Sequence, residues 1–107
     1  MYRWRYGRRI GPGRPMKPRV ISFKPEQMSF APLDSNGMPI LEREPIYMNL
    51  DEYEAFRLSY YEGLKQEEAC KKMGISRGTF WRCLESARKK IASMLTENRP
   101  LIIVLNY

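Results

Sequence analysis

Histidine is absent from the 107-residue sequence, and cysteine occurs only twice. Without histidine the chain lacks the commonest general acid–base group and the usual member of a catalytic triad. Two cysteines alone cannot form a Cys/His zinc site, and no phosphate-binding glycine loop precedes a helix. Cys70 and Cys83 stand at small or apolar helical positions, so we expect both to be buried thiols. We therefore expect no enzyme, no metal and no cofactor.

Long hydrophobic runs are also missing. The longest aliphatic stretch, residues 101–105, is far shorter than the roughly 20 residues that a membrane-spanning helix needs. The basic N-terminus has no apolar segment of the kind found in signal peptides. We expect a soluble cytoplasmic protein with no membrane partner.

Acidic residues are missing from the first 19 positions. Residues 1–19 hold seven Lys and Arg side chains, whereas residues 20–107 balance 12 cations against 12 acids, so the net charge of +7 belongs to the first segment. Arginine alternates there with aromatic, Gly and Pro residues, which predicts an extended, flexible basic arm for a polyanion. A solubilising tail is the alternative interpretation.

Proline divides the remainder of the chain. Seven of the eight prolines precede residue 46 and the eighth is Pro100, so long helices are confined to the window between them. The predicted organisation is a basic flexible arm (1–19), an irregular segment with short strands (20–48), a helix-turn-helix domain (49–96) and a C-terminal strand (100–107). The predicted fold class is mainly α: a three-helix helix-turn-helix domain with short flanking β-strands and an extended basic N-terminal arm.

The strand candidates are residues 20–24, 46–48 and 101–105, which are rich in β-branched or aliphatic side chains. An unpaired terminal strand would be an aggregation-prone edge. We expect it to pair with residues 20–24, with the Ile46 segment, or with a second copy of the chain.

Capping residues mark the first two helices. Asn49 followed by Glu52 is a capping-box pattern, which predicts a first helix that runs to Gly63. A second helix is predicted over residues 66–73. Its start is weak, because Lys65 occupies the N-cap position where Ser or Thr would be expected.

The segment after residue 73 completes a helix-turn-helix pattern. Gly74 stands where the second helix must end, and Ser76 is a good N-cap for a third helix that reaches residue 95 or 96. An apolar stripe with helical spacing follows at Phe80, Cys83, Leu84, Ala87 and Ile91. The opposite face carries Arg77, Gly78, Trp81, Arg82, Glu85, Arg88 and Lys89. Such a helix suits the major groove of DNA, and an ordinary α-hairpin with a solvated basic face is the alternative.

Arginine dominates the predicted contacts. The planar guanidinium matches guanine O6 and N7, or a phosphate, so Arg77 and Arg82 are the first candidates. Trp81 could contact a thymine methyl or the sugar-phosphate backbone, or lie buried under the arm or the tyrosines of the first helix. Lys90, with its two basic neighbours, suits phosphate contacts. The predicted DNA-binding residues are Gln66, Ser76, Arg77, Gly78, Thr79, Trp81, Arg82, Arg88 and Lys89 in the helices, and Arg14, Lys17 and Arg19 in the arm.

The arm contains the tripeptide Gly13-Arg14-Pro15, which resembles the core of AT-hook peptides. In those peptides an extended arginine lies in a narrow A·T minor groove. Pro12 stands where the full AT hook has another arginine. Minor-groove insertion and generic phosphate binding both stay open for the arm.

Two family resemblances extend this interpretation. The lead-in Tyr60-Tyr61-Glu62-Gly63-Leu64 is similar to the fourth region of sigma-70-type transcription factors. Nearly the whole chain resembles the domain-of-unknown-function family 134, also called uncharacterised protein family 0251. The matching stretches are residues 13–15, 18–19, 23–25, 50–58, 62–64, 66–69, 73–77, 79–80 and 84–90. The resemblance implies a small prokaryotic DNA-binding protein. That family often has a cysteine in its basic segment, where this chain has Val20 or a neighbour.

We therefore expect a sequence-dependent protein for double-stranded DNA, a transcriptional regulator that reads the major groove with helix 76–92. One helix-turn-helix covers few base pairs, so we expect a homodimer on a two-fold site, with the terminal strand as its dimer element. RNA polymerase is a further possible partner. The alternatives are an RNA-binding protein and a protein-interaction module that docks on polymerase.

Overall fold

The computed structural model describes residues 28–104 and the two strand segments 2–4 and 19–21, and every structural statement below concerns these residues. They form a mainly α domain with short flanking strands, which confirms the predicted fold class. The strands are β1 (Tyr2–Trp4), β2 (Arg19–Ile21), β3 (Ser29–Phe30), β4 (Ile46–Asn49) and β5 (Leu101–Val104), and the helices are α1 (Leu50–Phe56), α2 (Gln66–Met73) and α3 (Arg77–Glu97).

Helix α1 begins at the predicted capping box. The backbone N–H of Asn49 donates to Oε1 of Glu52 at 2.8 Å. The helix continues beyond Phe56 as a π-helical segment, Arg57–Tyr61, which the sequence did not predict. The chain then leaves the helix at Gly63, whose φ of +72° is the left-handed conformation that glycine adopts without strain.

The π-helical segment is held by a buried ion pair. Glu54 is completely buried, and its two carboxylate oxygens accept from Nε and Nη2 of Arg57 at 2.9 and 3.1 Å. Nη1 of Arg57 reaches Glu62 at 2.8 Å. The hydrogen bonding of its guanidinium to the Glu54 carboxylate is the main cause that raises the pKa of Arg57. One guanidinium therefore joins the last turn of α1 to the end of the π-helical segment.

Helix α2 has the predicted bounds, and Glu68 compensates for its weak N-cap. The Glu68 carboxylate accepts the N–H of Lys65 at 3.0 Å, which satisfies a donor that the lysine side chain cannot. The helix ends at Gly74 with φ +68°. The N–H groups of Gly74 and Ile75 donate to the carbonyls of Lys71 and Cys70, both at 3.2 Å, which is the Schellman arrangement.

The larger sheet has the strand order β3-β5-β4. β5 lies in the centre, antiparallel to β3 and parallel to β4, with Leu101 opposite both Phe30 and Ile46. The predicted pairing with the Ile46 segment is therefore confirmed. The alternative partner around residue 20 is wrong, because β2 pairs with β1. β5 is paired with β4 along one edge and with β3 at Leu101 and Ile102 on the other, and the expected dimer through this strand stays a prediction.

Two hydrophobic clusters fill the interior. The helical core consists of Ala55, Leu58, Ala69, Cys70, Met73, Phe80, Cys83 and Leu84. The sheet core consists of Ile46, Met48, Leu50, Ala87, Leu101 and Ile103. Both cysteines are buried thiols, as predicted. Burial raises the pKa of Cys70, against a smaller opposing effect of Arg77.

Candidate nucleic-acid interface

Helix α3 is held against the domain along one side. Phe80, Cys83, Leu84 and Ala87 are buried, which confirms four members of the predicted apolar stripe, and Ile91 is half-buried against the sheet core. Trp81 lies on the other side and is 53% exposed. The helix is thus a rod anchored from behind by both cores, with its front open to solvent.

The exposed face of α3 comprises Arg77, Gly78, Trp81, Arg82, Glu85, Arg88 and Lys89, all of them exposed except Glu85, which is half-buried. At about 100° of rotation per residue these positions fall on three lines along the helix. Arg77 and Arg88 form one flank, and Arg82 and Lys89 form the other. Gly78, Trp81 and Glu85 occupy the midline between the two basic flanks.

The start of α2 lies beside the start of α3. Oε2 of Glu67 is 3.2 Å from Nη2 of Arg77, with both side chains 68% exposed. Nε2 of Gln66 donates to the backbone carbonyl of Arg77 at the long distance of 3.5 Å. An ion pair this exposed is worth less than about 1 kcal/mol, so an external anion can compete with Glu67 for Arg77.

The cap of α3 uses two of the predicted contact residues. Oγ of Ser76 accepts the N–H of Thr79 at 3.2 Å and donates to Oγ1 of Thr79 at 3.0 Å. Nη2 of Arg82 reaches the same Oγ1 at 3.4 Å. Ser76 and Thr79 therefore have a structural role at the helix start, and they orient the guanidinium of Arg82.

Gly78 is not required by the fold. A Cβ at this position would meet only Nη1 of Arg82, at an ordinary contact distance of 3.7 Å. Its backbone is helical, so no positive φ favours glycine there. The absence of a side chain leaves the backbone of the first turn of α3 open to close approach from outside.

Arg88 is engaged by its own chain. Its Nε donates to Oη of Tyr60 at 2.6 Å and its Nη1 donates to Oε1 of Glu85 at 3.1 Å. The guanidinium carbon lies 5.5 Å from the centroid of the Tyr60 ring. The hydrogen bond with Tyr60 is the main cause that raises the pKa of Arg88. This geometry fixes Arg88 in place and ties the π-helical segment to α3.

The three basic residues at 88–90 have different roles. Lys90 pairs with buried Glu52 at 2.8 Å, and Ser86 also donates to that carboxylate, so the expected phosphate contact of Lys90 is replaced by a structural one. Lys89 makes no ion pair among the residues that the structure describes. It lines a shallow groove of about 260 Å³, together with Ile46, Ser86, Lys90, Ser93 and Arg99.

Sequence reasoning missed several members of this surface. Tyr60 and Arg88 are 28 positions apart, and Glu52 and Lys90 are 38 apart, so no local pattern joins them. Arg99 enters the groove from beyond the end of α3, with its Nε donating to the carbonyl of Glu44 at 2.8 Å. No signal in the sequence indicated that contact.

The predicted arm contacts lie mostly outside the described residues. Arg14 and Lys17 are not among them, and Arg19 is described as the first backbone position of β2. β2 lies beside α2, which places the base of the predicted arm next to the helix-turn-helix. The roles proposed for these three side chains stay predictions.

The described residues contain neither a metal-binding cluster nor a helix that could span a membrane. No group of three or more His, Cys, Asp or Glu side chains there could hold a metal ion. Within the same part of the chain, no helix combines the length and the apolar character needed to cross a membrane.

The fold and the surface define a small, mainly α domain with a helix-turn-helix and a basic front. The chain belongs to the family described as "Protein of unknown function DUF134", which matches residues 5–106. The resemblance seen in the sequence is thus confirmed, whereas the likeness to sigma-70 factors stays a prediction.

Curated relatives carry the family name UPF0251. A protein of Pyrococcus furiosus is 55% identical over 97 residues, which cover 90% of this chain and 87% of that one. One from Pyrococcus horikoshii is 55% identical over 89 residues, 82% of this chain and 78% of the relative. A bacterial relative from Clostridium acetobutylicum is 44% identical over 90 residues, 84% of this chain and 61% of its own length. No solved structure matches the chain significantly.

Proposed function

We propose that the protein binds double-stranded DNA in a sequence-dependent manner and acts as a cytoplasmic transcriptional regulator. Helix α3 enters the major groove with the midline of its exposed face toward the base pairs. The two basic flanks lie toward the phosphates on either side of the groove, and Arg77 and Arg82 are long enough to reach base edges as well.

The observation that carries the proposal is the exposure of this face on an anchored helix. Trp81 is 53% exposed, although its indole is a large apolar surface that a folded domain normally covers. It stands between arginines on a helix whose opposite side is fully packed. An aromatic side chain framed by guanidinium groups matches a surface with an anionic rim and apolar points on its floor, and the phosphates and thymine methyl groups give the major groove of DNA these properties.

Gly78 adds independent support. Glycine lowers helix stability relative to alanine by up to about 1 kcal/mol, and nothing within the described fold requires it. Glycine at this position is explained if the floor of the DNA groove comes close to the backbone of the first turn of α3. Lys89, in the C-terminal half of the helix, makes no ion pair among the described residues and adds positive charge to the same face.

The proposal includes two copies on a two-fold DNA site, because one α3 covers only a few base pairs. Within the described residues, β4 occupies one edge of β5 and β3 occupies the other at Leu101 and Ile102. Exposed apolar side chains near β3 offer a surface instead: Phe30, Leu33, Met38, Leu41 and Leu95. Sedimentation of the DNA complex should give two chains per duplex, and a single chain per cognate duplex would contradict this part of the proposal.

Selection from a random pool of duplexes tests the function directly. We expect enrichment of a palindromic sequence. On the selected site Arg82→Ala should weaken binding by about 1–3 kcal/mol, the usual worth of a good bidentate contact. Lys71→Ala is the matched control, because it removes one exposed cation from α2 on a different helix. Equal isotherms for Arg82→Ala and the wild type would remove Arg82 from the interface.

The salt dependence of DNA binding tests the predicted phosphate contacts of the arm. Each phosphate contact contributes about 0.9 to the slope of log affinity against log salt concentration. The double variant Arg14→Gln and Lys17→Gln should therefore lower the slope by up to about 1.8 on any duplex. An unaltered slope would show that these side chains do not contact phosphates.

A protein-interaction module is the rival that one observation favours. Tyr53, Phe56, Arg57 and Tyr61 line an aromatic groove of about 420 Å³ on α1 and the π-helical segment. A polymerase subunit docked there would still bind after Arg77→Ala and Arg82→Ala but not after Tyr61→Ser. An RNA-binding protein is distinguished by competition, since structured RNA in excess should displace the selected duplex only under that alternative.

A further inference from the structure

Glu85 is the one acid on the exposed face of α3. It lies on the midline, one helical turn after Trp81 and between the basic flanks. A carboxylate close to DNA is repelled by the phosphates, so its presence at the centre of a basic surface lowers non-specific affinity. If Glu85 served solubility alone, it would be better placed away from the basic surface.

The carboxylate of Glu85 is held in place by a chain of contacts from another element. Phe56 packs against Tyr60 with ring centroids 4.8 Å apart. Tyr60 accepts from Nε of Arg88 at 2.6 Å and lies under its guanidinium, and Nη1 of Arg88 donates to Oε1 of Glu85 at 3.1 Å. Arg88 is thereby committed to Glu85 and Tyr60, while Oε2 of Glu85 makes no hydrogen bond within the described residues.

The four bases differ sharply in how well their major-groove edges can pair with such an acceptor. Cytosine presents its N4 amino donor beside a C–H group. Adenine also has an amino donor, but its neighbouring N7 acceptor repels a carboxylate. Guanine and thymine present acceptors, which a carboxylate cannot pair with. A fixed carboxylate at the groove floor therefore favours cytosine, whereas an amide favours adenine because it pairs with N6 and N7 together.

We propose that Glu85 is a specificity-determining residue that accepts from the N4 amino group of one cytosine, with Arg88 and Tyr60 as positioning residues. The inference rests on the proposed DNA-binding function. It assigns Arg88 a role inside the protein, in place of the phosphate contact expected from the sequence. The cognate site then contains one position where the charge of Glu85 selects cytosine. At the flanking positions the arginines recognise guanine or contact only the phosphates.

Parallel selections with wild type and Glu85→Gln test the assignment. We expect one symmetric pair of positions to change from cytosine to adenine, with every other position unchanged. At that position the wild type should prefer cytosine over other bases by roughly 5- to 150-fold. Glu85→Gln should also bind unrelated duplex more tightly than the wild type, because one repulsive charge is gone. Glu42→Gln is the control, because it makes the same change at an exposed position outside α3 and should alter neither preference.

Tyr60→Phe examines the positioning role. It removes the oxygen that holds Nε of Arg88 and keeps the aromatic ring. The preference for cytosine should fall severalfold at the same position, while affinity for unrelated duplex and the unfolding midpoint stay within error. A purely structural role would move the midpoint and leave the base preference intact.

The outcomes separate the two proposals. A wild-type pool without any enriched sequence overturns DNA reading, and the role of Glu85 falls with it. A clear site that Glu85→Gln selects with the same base at every position overturns the role of Glu85 alone and leaves the proposed function standing.

Discussion

The helical core and the sheet core pack against the same helix in different ways. The helical core is built largely from small and sulfur-containing side chains, with Ala55, Ala69, Cys70, Met73 and Cys83 among its members. The sheet core is built from longer aliphatic side chains such as Ile46, Leu50, Leu101 and Ile103. Small residues let helices approach closely, whereas branched ones fill the space between a helix and a pleated surface.

The difference gives α3 two kinds of support. Its first half is gripped by neighbouring helices and carries Arg77, Trp81 and Arg82 in front. Its second half rests on the sheet through Ala87 and Ile91. The orientation of the exposed face is set mainly by the helical core, and the sheet core prevents the long helix from pivoting. Substitutions in the helical core and in the sheet core should therefore lower stability to a similar extent, but they should differ more in how much they weaken binding.

The largest effects are expected from truncation in each core. Phe80→Ala should lower the free energy of unfolding by about 3–5 kcal/mol and Ile103→Ala by about 2–5 kcal/mol, since both side chains are buried. Because α3 belongs to both cores, each variant should unfold in one cooperative transition in urea. Tyr61→Ala, at an exposed position, should change stability by less than about 0.5 kcal/mol. Two separate transitions would show that the cores are independent units.

Glycine substitutions sharpen the comparison at the helical core. Gly74→Ala places a Cβ in the left-handed conformation, φ +68°, and should cost about 1–2 kcal/mol. Gly78→Ala, in helical backbone four residues later, should leave stability unchanged or raise it by up to about 1 kcal/mol. The proposed function predicts the opposite effect of Gly78→Ala on binding: the variant should bind DNA more weakly although its stability is not reduced. Tight binding by Gly78→Ala would remove close backbone approach from the proposal.

The smallest effect is an alkaline loss of stability that begins in the helical core. Burial raises the pKa of Cys70 above its ordinary value of 9.0, so the unfolded chain releases this proton first. Stability is then complete below about pH 9 and falls as pH rises through the folded pKa. Burial also raises the pKa of Tyr53 beside the sheet core, from 10.0, which extends the loss to higher pH. Urea titrations of Cys70→Ala should show a later onset; an unchanged onset would argue against Cys70.

The two cores also differ in how far they could be predicted from the sequence. The helical core draws on residues 55–84, in helices whose caps, Asn49, Gly74 and Ser76, act over three or four positions. The bounds of α2 and α3 and the apolar stripe of α3 were therefore predicted nearly to the residue, whereas the first helix, expected to run to Gly63, changes from α-helical to π-helical after Phe56. The sheet core joins Ile46 to Leu101, and aliphatic strands pair with any suitable edge, so three partners for β5 stayed open.

The same physical reason limits how much of the candidate site could be predicted from the sequence. The outward face of α3 follows from helical periodicity, but its internal partners do not. Arg88 contacts Tyr60, which lies in a π-helical segment that no residue pattern predicted. Lys90 was expected to contact phosphate, whereas the fold pairs it with Glu52.

The central place of β5 has a consequence for biosynthesis. The ribosome makes β3 and β4 long before the strand that will lie between them, so neither can join the three-stranded sheet until translation has passed Val104. Until then Ile46 and Met48 lack the contacts that Leu101 and Ile103 make in the sheet core. A chain that is cut short before Leu101 should therefore expose an unpaired aliphatic strand, an edge prone to aggregation and to binding by chaperones.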